Sequence, residues 1–239
     1  MTDRLEQIEN AREEFVSNVS HELKTPLSSI KVLSESILNE KDTPLEVCRE
    51  FLGDINSEID RMTHIVNDLL TLVKLDKKRF PLNMSKINLR QTLENITKRL
   101  LPLAHKKNIT LELKCDKNIF LTGDEVKLSL AISNLIDNGI KYTQSGGKVK
   151  INAYSDKNFV YINIQDNGIG INIDEQDKVF ERFYRVDKTR DRETGGTGLG
   201  LSITHSTINM HNGEIKLESA EGIGTTFYIT LPIEPIKHD

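Results

Sequence analysis

The sequence predicts an α plus α/β chain of two domains, a helical hairpin followed by a two-layer α/β sandwich. Over the first third, Gly and Pro are scarce and apolar residues recur at steps of three and four. Around Arg79-Phe-Pro-Leu82 that pattern stops, and from about Ser85 onward short runs alternate apolar with polar residues between helical stretches. The expected division is a helical domain over 1–78, a linker over 79–85 and an α/β domain over 86–239.

Of the two predicted helices, the second carries the plainer signal. Leu52, Ile55, Ile59, Met62, Val66, Leu69 and Val73 lay an apolar seam along it, the pattern of coiled coils and bundles. The polar stretch from Asn39 to Leu45 contains Pro44 and predicts a turn, so the helices form an antiparallel hairpin. One hairpin has too little core to bury such a seam. A symmetric homodimer closing into a four-helix bundle is therefore expected. In the second domain, 109–114, 148–153, 159–164 and 225–231 read as half-buried strands, and 89–106, 124–142 and 198–211 as helices covering one face of their sheet.

Composition narrows the function. Lys and Arg number 32 against 36 acidic residues, and the net charge of −4 gives no general pull toward nucleic acid or anionic membrane. Neither is expected as a partner. Cys48 and Cys115 lack disulfide or metal-ligand spacing, which fits a reducing, cytoplasmic setting. No apolar run approaches the roughly 20 residues of a membrane helix. The chain opens inside a polar helical pattern, Met1 to Asn10, so a longer parent anchored in the cell membrane is expected.

On the first helix Val19, Leu23, Leu27 and Ile30 form the predicted inward face. His21 lies two positions from Val19 and from Leu23, about 200° around the helix, and so points outward with Ser17, Lys24, Thr25 and Ser28. An exposed imidazole can accept a phosphoryl group, with Glu22 beside it as a hydrogen-bonding base. A lone surface histidine is more often a merely solvated side chain. Pro26 removes a backbone hydrogen bond one turn beyond it and is expected to bend the helix.

Three segments of the second domain carry further chemistry. Asp166-Asn-Gly-Ile-Gly-Ile171 follows a strand, where Gly168 and Gly170 let backbone approach a ligand and the carboxylate can accept a bond from an exocyclic amine. Thr194-Gly-Gly-Thr-Gly-Leu-Gly-Leu201 precedes a helix and offers backbone amides to phosphate oxygens, without the Lys-Ser/Thr ending of a Walker A loop. On a helix that precedes both, Asn134, Asn138, Lys141 and Tyr142 share a face. Asn138 suits Mg²⁺, which binds mainly through waters and phosphate oxygens, and Lys141 can offset phosphate charge. Each segment alone also reads as a turn or a solvated helix face.

Phe15-Val-Ser-Asn-Val-Ser-His-Glu-Leu-Lys-Thr-Pro-Leu27 resembles the H box of bacterial two-component sensor histidine kinases. The three segments above resemble, in the right order, the N, G1 and G2 boxes of that family, and Phe180-Glu-Arg-Phe-Tyr-Arg-Val-Asp187 its F box. The resemblance covers nearly the whole chain from about Ala11. It implies a Bergerat-type ATP-binding sandwich of the GHKL class, ATP and Mg²⁺ as ligands, autophosphorylation of His21 and transfer to an aspartate of a response-regulator receiver domain. By the same resemblance, Glu22 is the general base and Thr25 positions the water of a reverse phosphatase reaction. Asp166, Gly168 and Gly170 hold the adenine; Asn134, Lys141 and Tyr142 contact the triphosphate; Asn138 holds Mg²⁺. Gly196, Thr197, Gly198, Leu199 and Gly200 cradle the phosphates, Arg185 stabilises charge on the transferring group, and the segment from about Asn172 to Gly196 is the ATP lid. Alternatives are an ATP-binding scaffold, a phosphatase-only homologue, or a clamp-type ATPase of the same class. The sequence departs from the family pattern at Gly139, Asn172 and Asn212, where Ala, Pro and Gly are commoner.

Overall fold

The structure is a computed structural model that describes residues 2–39, 44–76, 82–117, 119–186 and 196–235. It divides into two compact units, Met1–Leu72 with Gly195–Thr197, and Val73–Thr194 with Gly198–Asp239.

The first unit is built on α1 (Thr2–Asn39) and α2 (Leu45–Asp76), so the polar Pro44 stretch does separate two helices. The hairpin buries the predicted seam unequally. Ile65 is fully buried and Ile55, Met62 and Leu69 half-buried, whereas Leu52, Ile59, Val66 and Val73 remain 43–57% exposed at seven-residue spacing. An apolar stripe stepping by three and four has two columns about 60° apart, and a single neighbouring helix covers only one of them. On α1, Val19, Leu23 and Ile30 are half-buried, but Leu27, expected inward, is 57% exposed for the same reason. Pro26 is buried and α1 continues through it.

The second unit begins with β1 (Ser85–Asn88) and α3 (Leu89–Lys106), followed by β2 (Thr110–Cys115), β3 (Phe120–Gly123) and α4 (Glu125–Tyr142). Then come β4 (Lys148–Ser155), β5 (Phe159–Asp166), two short 3₁₀ turns at Ile173–Glu175 and Lys178–Phe180, α5 (Gly200–Met210), β6 (Glu214–Ala220) and β7 (Gly224–Pro232). Five strands form one sheet in the order β2-β4-β5-β7-β6, with β2 parallel to β4 and the remaining pairs antiparallel; β1 and β3 pair separately.

Alternation decides which face is covered. β4 buries Val149, Ile151 and Ala153, β5 buries Val160, Ile162 and Ile164, and β7 buries Phe227, Ile229 and Leu231, all toward α3, α4 and α5. Each fully buried aliphatic side chain contributes roughly 1.5–3 kcal/mol. The opposite face is polar and aromatic, with Tyr154 and Tyr161 stacked across β4 and β5 at 5.0 Å between ring centroids. α4 starts at its N-cap Asp124, whose carboxylate accepts the Lys127 N–H at 3.1 Å, and it buries Leu135, Ile136 and Ile140 on the sheet side.

Candidate functional site

The helical unit holds the candidate acceptor. His21 is exposed on α1 together with Ser17, Lys24 and Ser28, while Thr25 is half-buried and donates its hydroxyl to the His21 carbonyl at 3.2 Å. Glu22 turns toward α2. Its Oε2 accepts from Nη2 of Arg61 at 3.2 Å, a partner 39 residues away that the sequence reading did not anticipate. Gly196 and Thr197, expected in the phosphate cradle, fall in this unit, where the Thr197 hydroxyl donates to Asp68 of α2 at 2.8 Å.

In the sandwich unit the two glycine segments meet α4. Asn134, Asp137, Asn138, Lys141 and Tyr142 are half-buried, at helical spacing, opposite the buried apolar row. From the first glycine segment, the Ile169 N–H donates to the Tyr142 carbonyl at 3.1 Å. A Cβ on Gly168 would collide with that same carbonyl, so no other residue permits the approach. From the second, the Gly200 carbonyl accepts from the Asn134 amide at 3.4 Å, and α5 starts there without a side-chain cap on its N-terminus. Such a helix start, with backbone N–H groups at its end, is suited to an anion.

Asp166 closes β5 at the centre of this arrangement. Its Oδ1 accepts from the Gly168 N–H at 2.9 Å and the Thr225 N–H at 3.2 Å, and Oδ2 has no partner among the described residues. Burial pushes its carboxyl above the ordinary range, and the two backbone bonds oppose that shift without cancelling it. An amine reaching Oδ2 would find a carboxylate held in a fixed orientation and poorly solvated. Gly170 has φ +70° with its Cα against the Ala220 carbonyl, leaving no room for a side chain.

Arg185 is half-buried beyond Phe180, whose ring rests against His205 at 5.4 Å and Phe227 at 6.4 Å. Phe183 adopts φ +63°, and its N–H donates to the Gly198 carbonyl at 3.0 Å, tying the stretch after the second 3₁₀ turn to the second glycine segment. The charged run Asp187 to Glu193 lies outside the described residues.

The three departures from the family pattern have local reasons. Gly139 packs against β4, where a Cβ would lie 3.2 Å from both Val149 methyls. Asn172 caps the first 3₁₀ turn and donates to Glu221 at 3.3 Å. Asn212 takes φ +56°, the left-handed helix-end conformation in which Asn is the usual substitute for Gly.

Several supporting residues gave no signal in sequence. Lys141 pairs with Asp137 at 2.7 Å, and Lys107 Nζ donates to the carbonyls of Ile140 and Lys141 at 3.2 and 2.6 Å, capping the end of α4. At the other end, buried His211 accepts the Asp124 N–H on Nε2 at 2.9 Å, and its Nδ1 donates to the Thr207 carbonyl at 2.8 Å. Desolvation lowers the His211 pKa from its ordinary value.

Comparison with known proteins agrees with this arrangement. Residues 11–78 match the His Kinase A (phospho-acceptor) domain, and residues 123–235 match the histidine kinase-, DNA gyrase B- and HSP90-like ATPase. Over 234 residues the chain is 39% identical to the sensor protein kinase WalK of Staphylococcus aureus, covering 97% of this chain and 56% of that relative. The chain thus spans little more than half of that relative's length. The solved histidine kinase AdeS of Acinetobacter baumannii shares the fold at a TM-score of 0.74 and 24% identity, over 89% of this chain and 98% of that one. Histidine kinase ThkA, solved in complex with response regulator protein TrrA, does so at 0.75 and 22% identity, over 98% of this chain and 67% of that one. The chain belongs to the two-component sensor histidine kinases and comprises their catalytic core, a phosphoacceptor helical domain followed by a GHKL-type ATPase sandwich.

Proposed function

We propose that the chain phosphorylates its own His21 from Mg-ATP, passes the phosphoryl group to an aspartate of a response-regulator receiver domain, and works as a homodimer. One observation carries the reading: an exposed imidazole on the polar face of α1 shares a chain with a helix, α4, whose polar residues are met by two glycine segments. The names of its relatives support it, since WalK is a sensor protein kinase and ThkA was solved with a response regulator. In this reading 1–78 is the dimerisation and phosphotransfer domain, 79–85 a linker and 86–239 the catalytic domain. The exposed Leu52, Ile59, Val66 and Val73 column is the surface a second copy covers.

Phosphoryl transfer depends mainly on positioning and charge stabilisation. Asp166 Oδ2 accepts the adenine amine, while Gly168 and Gly170 admit the base. Asn134, Lys141 and Tyr142 line the triphosphate, with the amides of Gly196, Thr197, Gly198, Leu199 and Gly200 beyond it. The residues fit Mg²⁺: half-buried Asn138, on the polar face of α4, offers a neutral side-chain oxygen of the kind that Mg²⁺ takes alongside waters and phosphate oxygens. Bound there, the ion neutralises phosphate charge. Glu22 draws the proton from the His21 imidazole as nitrogen attacks, and Arg185 stabilises charge on the group in flight. Thr25, one turn from His21, orients water for dephosphorylating the regulator.

The test is incubation with γ-labelled ATP and Mg²⁺. Acid-labile, base-stable label on the wild-type protein that is absent from His21→Gln is the expected result. A wild type that binds ATP and stays unlabelled would reject the kinase reading in favour of a scaffold.

A further inference from the structure

The loop that follows β5 is tied to the β6–β7 hairpin, and one hydroxyl joins several of the ties. Ser219, near the end of β6, is half-buried and directly opposite Thr225 of β7. Its Oγ lies 2.8 Å from the Ile171 nitrogen, 2.9 Å from the Gly224 carbonyl oxygen and 2.9 Å from Thr225 Oγ1. Counting hydrogens gives each bond its direction. A carbonyl only accepts and an N–H only donates, so the Ser219 proton goes to Gly224, while the Ile171 N–H and the Thr225 hydroxyl fill its two lone pairs. The hydroxyl is then fully used. Gln176 straps the same joint with its side-chain amide, whose Nε2 donates to the Ile171 carbonyl at 3.0 Å and to the Ser219 carbonyl at 2.8 Å.

These ties bracket Asp166. Thr225, whose hydroxyl Ser219 holds, gives its own N–H to Asp166 Oδ1, and Ile171 ends the glycine segment that Asp166 begins. Gly224 runs so close to the Asp166 carbonyl that a Cβ there would collide with it. The orientation of the carboxylate therefore depends on how firmly the hairpin grips the loop. Hydrogen bonds weaken steeply as their angle worsens, so a small rotation of the carboxylate is enough to lose most of one.

We infer that Ser219 is a positioning residue for base recognition: through Thr225 and Ile171 it fixes the orientation in which Asp166 Oδ2 meets the exocyclic amine of adenine. The inference rests on the proposed role of Asp166 and deepens it. Ser219 acts through Asp166 alone, and the preference for a base that carries an amine is the property it sets.

The test compares ATP with purine riboside triphosphate, which keeps the ring system, ribose and phosphates and lacks the amine. Both are titrated into the full chain with Mg²⁺ by calorimetry, and the thermal midpoint is recorded for every variant. The wild type is expected to bind ATP about ten- to hundredfold tighter than the analogue, the worth of one bond to a charged acceptor. In Ser219→Ala that preference is expected to fall about three- to tenfold through weaker ATP binding, with the analogue within about twofold of its wild-type affinity. Ser219→Cys keeps the shape but offers only a weak donor and acceptor. It is expected to lose preference in the same direction, and it is the informative variant should Ser219→Ala melt early. Equal weakening of both ligands would overturn the proposal, because a general loosening of the fold does not distinguish the two bases. So would an unchanged preference in both variants. A wild type that binds the two ligands alike is a separate result, which removes the amine-reading role of Asp166 and this inference with it.

Discussion

At Asp166, binding and stability pull against each other. Its carboxyl is raised by burial, so the charged form is held at a cost in the folded protein. The sign follows from linkage: the contribution is complete below the ordinary carboxyl range and is lost as the pH rises through the raised native value. At neutral pH, Asp166→Asn keeps the shape and the Oδ1 acceptor while removing that cost. The nucleotide-free variant is expected to melt about 2–4 °C higher for each kcal/mol gained, measured by calorimetry. Its ATP affinity is expected to fall ten- to hundredfold in titration calorimetry, the loss of one charge-assisted bond. A variant that melts lower and binds normally would contradict both halves. His211 gives the opposite pH signature. Its pKa is lowered, so below about 6.5 the unfolded chain takes up a proton that the folded one resists. Stability is therefore full above that value and falls as the pH drops toward the native one. His211→Gln keeps an acceptor for the Asp124 N–H and is expected to flatten the melting midpoint between pH 7.5 and 5.5 relative to wild type.

Among the elements, α4 shows what sequence can and cannot carry. Its bounds, its buried row and the shared face of Asn134, Asn138, Lys141 and Tyr142 follow from periodicity and the Asp124 cap. Its two clamps do not, because Lys107 and His211 reach it from elsewhere in the chain. Replacing Lys107 with Met is expected to lower stability by about 1–3 kcal/mol through the unpaired carbonyls of Ile140 and Lys141, and to weaken ATP binding as the end of α4 frays. Denaturant unfolding and nucleotide titration check both. Strands β4, β5 and β7 were legible because each buries one full face, whereas β1 and β3 are four residues each and offer too few alternations to recognise. β6 had a usable signal in Ile215 and Leu217 after Asn212-Gly213, which the reading passed over. On α2 the period was legible but not which column the hairpin itself covers, since a sequence shows an apolar stripe but not how many neighbours share it. The exposed column predicts that Ile59→Lys with Val66→Lys shifts the chain from dimer to monomer at micromolar concentration by sedimentation, with the sandwich still binding ATP.

For the molecule as a whole, two units with separate cores imply two melting transitions rather than one. Saturation with Mg-ATP at about 100 times Kd stabilises the unit that binds it by about 2.7 kcal/mol. The sandwich transition is expected to move up in differential scanning calorimetry while the helical one stays in place. The H, N, G1 and G2 segments were recognisable because each joins an unusual residue combination to a fixed local geometry. The ion pair from Arg61 to Glu22 was not, because it depends on how two helices pack.

The strand order has a consequence for aggregation. A five-stranded sheet in the order β2-β4-β5-β7-β6 has two open edges, and an open edge can template a further strand from another molecule. Here β2 carries Glu112 and Lys114, and β6 carries Glu214, Lys216 and Glu218. These charges disfavour the head-to-tail pairing that grows into a fibre, while the apolar column on α2 favours a self-limiting pair related by a two-fold axis. Division of labour between charged edges and an oily helix face makes closed assembly the preferred outcome over open polymerisation.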